Sequence, residues 1–126
     1  MLAAAGTCDL NVERGPGWLL VKIEGLEGDA SNPPPLAERL WGLAQQHFTY
    51  RIVLDLGRVR VLNSSLIGQL ILIYKRIRDH DGVLRLCGLS PYNQRILHTC
   101  SLDDRFQAYD SREEAMVGGC DPRLPR

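Results

Sequence analysis

A chain of 126 residues makes one domain, large enough to bury a core without metals or disulfide bonds. Its 15 basic and 15 acidic residues cancel, which argues against nucleic acid or an anionic membrane as the partner. Cys8, Cys87, Cys100 and Cys120 form no C-x-x-C pair and have no histidine at ligand spacing, so no metal or cofactor is expected. Reduced thiols in the cytoplasm are the simple reading. The apolar run from Leu2 to Ala5 meets Cys8-Asp9 too soon for a signal-peptide core. The longest apolar stretch, Leu70 to Tyr74, is far below membrane-spanning length.

Thr7 to Arg14 alternates weakly, Gly15-Pro16-Gly17 makes a turn, and Trp18 to Glu24 reads as a second strand. Two such runs across a glycine-rich turn predict a β-hairpin. Trp18 suits core or sheet-edge packing, with a partner anchor as the alternative. Gly25 to Pro35 is a connection, its three prolines a stiff lead-in to the next helix. Leu36, Leu40, Leu43, Ala44 and Phe48 then recur at helical spacing, with His47 at the helix end.

Tyr50 to Leu56 is a nearly continuous apolar run, as expected of a strand covered on both faces. A short loop leads to Asn63-Ser64-Ser65, and an amphipathic helix runs from there to about Asp79. Gly82 breaks that pattern and Val83 to Cys87 is the next strand. Ser90 caps a further helix with Pro91 in its first turn and Ile96-Leu97 on its apolar face. Leu102 to Tyr109 is expected to hold a short last strand around Phe106, and Ser111 with Glu114 forms a capping box for a final helix that Gly118-Gly119 stops. The sum is an α/β domain over residues 7–117: a mixed, largely parallel sheet of about five strands with helices against it, opening with a hairpin. Residues 118–126 read as a disordered tail.

The helix that begins at Ser64 is the candidate functional element. At 100° per residue, Leu66, Ile67, Leu70, Ile71, Ile73, Tyr74 and Ile77 share one arc, the core face. The opposite arc holds Ser65, Gly68, Leu72, Lys75 and Arg76, with Gln69 on its shoulder. Leu72 is out of place on a face that ought to be wet. Gly68 costs a helix interior up to about 1 kcal/mol and is usually kept where something approaches closely. The arc is therefore a candidate docking surface beside a serine-bearing helix start, where unpaired backbone N–H groups can hold an anion. The plain alternative is a solvated face and a well-capped helix.

Catalysis is not expected. Ser64 lies in no G-x-S-x-G elbow, no histidine stands in a recognisable catalytic setting, and no glycine-rich phosphate loop is present.

With these residues laid out, the chain resembles the STAS-domain family, the bacterial anti-sigma-factor antagonists. The resemblance runs from about Leu10 to Val117. It rests on Ile52-Val53-Leu54-Asp55-Leu56, Asn63-Ser64-Ser65-Leu66-Ile67-Gly68, Tyr74-Lys75-Arg76-Ile77, Gly82 to Leu86, and Leu97 through Phe106 to Glu113-Glu114-Ala115. It implies a regulatory switch. The unphosphorylated protein, a free monomer, binds an anti-sigma factor that is itself a serine kinase; phosphorylation ends the complex and a phosphatase restores it. By position Ser64 would be the phosphoacceptor and Ser65 its neighbour on the docking face; with the outer arc residues Gly68, Gln69, Leu72, Lys75 and Arg76, and with Asn63 and Asp29, it would meet the partner. Asn63 stands where the family usually has Asp, Leu66 where it has Gly, and Asp29 only roughly matches a loop aspartate. Two other readings stay open: an unphosphorylated STAS scaffold in a signalling assembly, and a small-ligand or nucleotide sensor using the same sheet edge.

Overall fold

The computed structural model describes residues 7–27, 35–102 and 105–117, so the expectations for Asp29 and for the tail at 118–126 fall outside the described residues. Strand β1 (Thr7–Gly15) pairs antiparallel with β2 (Trp18–Glu27), and Gly17 takes the left-handed φ of +79° in the turn between them. Helix α1 (Leu36–Gln46), β3 (Arg51–Asp55), α2 (Ser64–Asp79), β4 (Val83–Cys87), α3 (Pro91–Thr99), β5 (Gln107–Tyr109) and α4 (Arg112–Val117) then alternate. The sheet order is β1-β2-β3-β4-β5, with β2 to β5 all parallel.

That order decides where the helices lie. Crossovers between parallel strands are right-handed as a rule, and here each one steps the same way across the sheet. Helices α1, α2 and α3 therefore share one face. The strand pleat agrees: Leu19, Val21, Ile23, Ile52, Leu54, Leu84 and Leu86 meet Leu40, Leu66, Leu70, Ile73, Ile77 and Leu97 in the main core. The alternate residues Trp18, Leu20, Val53 and Cys87 form a smaller core with Ala115 of α4.

Arg85 also points to that second face and is 6% exposed. Its Nη1 donates to the Ala115 carbonyl at 2.7 Å, and its guanidinium lies 4.9 Å from the Trp18 ring centroid. Arg51 covers the same ring at 4.3 Å. Trp18 is thus a packing residue under two cations rather than an exposed anchor, and Arg85 fastens α4 to the sheet.

One expectation needs correction and one is refined. Phe48 does not continue the apolar stripe of α1. The helix ends at Gln46, His47 is its C-cap, and Phe48 turns out to 90% exposure at φ +53°. There the Thr49 N–H bonds the Ala44 carbonyl at 3.0 Å and closes the helix end. The last strand, Gln107–Tyr109, lies within the expected stretch and begins just after Phe106. The Phe106 N–H bonds back to the Leu102 carbonyl at 3.1 Å, so this residue still belongs to a turn, with its ring buried edge-on against Tyr74.

Candidate functional site

Strand β3 ends at Asp55, whose Oδ1 accepts the Gly57 N–H at 2.9 Å and turns the chain out of the sheet. The segment 57–63 then crosses to α2. Its middle is gripped by Asn93 of α3, a fully buried polar side chain. Asn93 Nδ2 donates to the Val59 carbonyl at 3.1 Å, and its Oδ1 accepts the Leu62 N–H at 3.0 Å. Sequence reasoning passed over Asn93 because its partners lie 34 and 31 positions upstream. The available signal was its place four residues before Leu97, on the buried face of α3.

Helix α2 starts from Asn63. Its backbone is extended (φ −85°, ψ 174°), and its Oδ1 accepts the Leu66 N–H at 2.9 Å. The cap is therefore Asn63, and Ser64 is the first helical residue. Its side chain is exposed and makes no hydrogen bond among the described residues, and the N–H groups of Ser64 and Ser65 have no partner there either. Leu66 turns away from Ser64 into the core at 2% exposure. A leucine at this position thus leaves the approach to the serine hydroxyl open, because its bulk goes inward.

The outer arc of α2 is not uniform. No described atom lies within 4 Å of the place a Cβ at Gly68 would occupy, so nothing inside the molecule asks for glycine there. Gln69 is engaged: its Oε1 accepts the Ala37 N–H at 3.0 Å, supplying the first turn of α1 with an acceptor that its N-cap residue, Pro35, cannot offer. Ser65 is half-buried. Leu72, 55% exposed, forms with Ala37, Glu38, Lys75, Arg76 and Asp79 a groove of about 330 Å³ between α1 and α2. Ala37 and Leu72 give it apolar surface, and Lys75, Arg76, Glu38 and Asp79 bring both signs of charge to it. Arg76 is steadied by the Trp41 ring, 5.3 Å from the guanidinium. Ser64, Gly68 and Leu72 follow one another at four-residue steps, so hydroxyl and groove sit roughly 12 Å apart along one helix.

Among the described residues no group of His, Cys, Asp and Glu could hold a metal ion, and no helix is long and apolar enough to cross a membrane. Burial, with Asp55 nearby adding to it, pushes the Cys87 thiol up to about 12, which keeps it un-ionised and unreactive.

Comparison with known proteins agrees with this architecture. The STAS domain model matches residues 9–115. A Bordetella bronchiseptica protein named for anti-sigma factor antagonism, BtrV, is 30% identical over 108 residues, spanning 84% of this chain and 90% of its own. Among solved structures, an anti-sigma factor antagonist from Mycobacterium paratuberculosis superposes with a TM-score of 0.73 at 23% identity, over 91% of this chain and 96% of that one. The phosphorylated form of the Bacillus cell fate determinant SpoIIAA superposes with a TM-score of 0.62 at 16% identity, over 86% and 96%. With its family match running from β1 to α4 and its sheet and helices in the same arrangement, the chain belongs to the STAS-domain family.

Proposed function

We propose that this protein is an anti-sigma factor antagonist: it binds an anti-sigma factor of the serine-kinase type along the outer face of α2, and phosphorylation of Ser64 by that kinase ends the complex. The observation that carries the reading is the exposed, unengaged Ser64 hydroxyl at the first position of a 16-residue helix whose cap is supplied by another residue, Asn63. Phosphorylating it breaks no internal hydrogen bond. The new group, with nearly two negative charges, enters the positive end of the helix dipole beside two free N–H groups. The same charge and bulk oppose a partner seated over Gly68 and Leu72. The name of the relative BtrV supports the same class of partner. Free of its partner the protein is a monomer, and a phosphatase resets it.

The test is the intact mass of the protein isolated from its own cells, with and without phosphatase, followed by peptide mapping. One removable phosphate on Ser64, absent from Ser64→Ala, is expected. No phosphate across several growth conditions, with partner binding intact, would replace this reading by that of an unswitched STAS scaffold.

A further inference from the structure

Resting on the phosphoacceptor reading of Ser64, we infer that Asn93 is a positioning residue for phosphate transfer, holding the segment before α2 so that the Ser64 hydroxyl is presented in one place. Asn93 is 0% exposed, and a buried amide side chain persists where its donor and acceptor are both used. Both are used here on the same stretch of backbone, the donor on the Val59 carbonyl and the acceptor on the Leu62 N–H. Its own backbone is fixed in turn, because the Asn93 N–H donates to Ser90 Oγ at 3.1 Å in the cap of α3.

The segment it grips has little other anchorage in its backbone. Gly57 and Val59 bond within their own turn, to Asp55 and to the Leu56 carbonyl, and Arg58 reaches Glu24 through an exposed ion pair at 3.3 Å. Leu62 is the last residue before the Asn63 cap, and Ser64 follows directly. The Leu62 side chain is buried in the main core and Val59 packs against it, and the Asn93 amide fixes the backbone between them; together they set where the cap sits, and the cap sets where the hydroxyl points. Phosphate transfer demands alignment of the attacking oxygen to within a fraction of an ångström, whereas docking on the Leu72 groove depends on residues two turns farther along α2. Loss of the Asn93 grip is therefore expected to lower the transfer rate and to leave docking in place.

The experiment uses Asn93→Leu, close in size and apolar, beside Asn93→Asp, which keeps the acceptor for Leu62 and loses the donor for Val59. Initial rates of phosphate incorporation at residue 64 are read by mass, over a range of protein concentrations. ATP and an extract of the protein's own cells serve as the kinase source, with Ser64→Ala as the blank. Amide hydrogen exchange at Leu62 and Leu66 is followed in parallel. Expected for Asn93→Leu are exchange at Leu62 at least tenfold faster, a maximal rate at least tenfold lower and an apparent KM within twofold of wild type, with Asn93→Asp in between. A merely structural residue would instead leave the rate of the folded fraction unchanged. A phosphorylated wild type with an Asn93→Leu rate within twofold of it overturns this inference alone, as does a lost rate with unaltered Leu62 exchange. A wild type that takes no phosphate overturns the phosphoswitch reading and this inference with it. Should Asn93→Leu lack a dispersed amide spectrum, Asn93→Asp carries the same comparison.

Discussion

The assignment of the α2 cap to Asn63 rather than Ser64 makes a prediction that separates stability from switching. Asn63→Ala removes the acceptor that holds the Leu66 N–H at 2.9 Å, leaving one more unpaired donor at the helix start. The cap is partly solvated, so water recovers some of the loss, and the expected cost is about 1 kcal/mol. For a chain of this size that is about 4 °C in melting temperature. Ser64→Ala breaks no hydrogen bond and gains slightly in helix propensity, so it should stay within about 0.5 kcal/mol of wild type. Ser64→Asp places a carboxylate at the positive end of the dipole and should stabilise by about 0.3–1 kcal/mol at neutral pH. Urea and thermal unfolding of the four proteins would give Ser64→Asp at or above wild type, Ser64→Ala near it, and Asn63→Ala clearly below. A Ser64→Ala loss as large as that of Asn63→Ala would mean that the serine is the cap and is not free for modification. The same proteins then report on function, since both Ser64 variants keep their fold while Ser64→Asp should lose the anti-sigma factor.

Leu72→Glu should abolish partner binding in a pull-down or calorimetric titration while shifting the melting temperature by less than about 2 °C, because a half-exposed side chain contributes little to the core. Gly82→Ala should cost about 3 kcal/mol in urea unfolding: a Cβ there would run into the Tyr50 carbonyl oxygen, which accepts the Val83 N–H, and approach Ile77 Cγ2 to 2.8 Å. Peptide mapping after alkylation of the native protein at pH 8 should find the exposed Cys100 modified and the buried Cys87 protected. Cys87 also sets a sign for alkaline stability. Its thiol keeps its proton in the fold up to about 12, whereas in the unfolded chain it loses it near 9.0. The unfolded state then binds fewer protons across that window, so stability should fall as pH rises from 9 towards 12, by up to about 1.4 kcal/mol per pH unit. A Cys87→Ala variant would lose that part of the slope.

The hairpin, the alternation of strands and helices, and the core face of α2 were legible in the sequence because each depends on neighbours within a few residues. A glycine turn, a period of two or 3.6, and caps such as Ser90-Pro91 and Ser111 are all short-range signals. Buried Leu66, Leu70, Ile73 and Ile77 fall on the arc that angular spacing assigns to the core. The exposure of Leu72 followed from the same geometry. Ser64 was legible as the start of the helix and as a residue of interest, while the bond from the Leu66 N–H to Asn63 Oδ1 was settled only by the structure.

What tertiary structure alone decided lies between residues far apart in the chain. Gln69 sits on the outer side of α2 by angle, yet α1 lies close enough for its Oε1 to serve the Ala37 N–H, 32 positions away. Asn93 looks like an ordinary polar residue of α3 until the loop 31 to 34 positions upstream folds onto it. Phe48 has the spacing of a core residue, but the helix ends two residues earlier, at Gln46, and the ring goes to solvent. Local periodicity states which side of an element is apolar. It does not state which polar groups of other elements will meet there, because that is set by the sheet order and the packing of α1 and α3 on either side of α2.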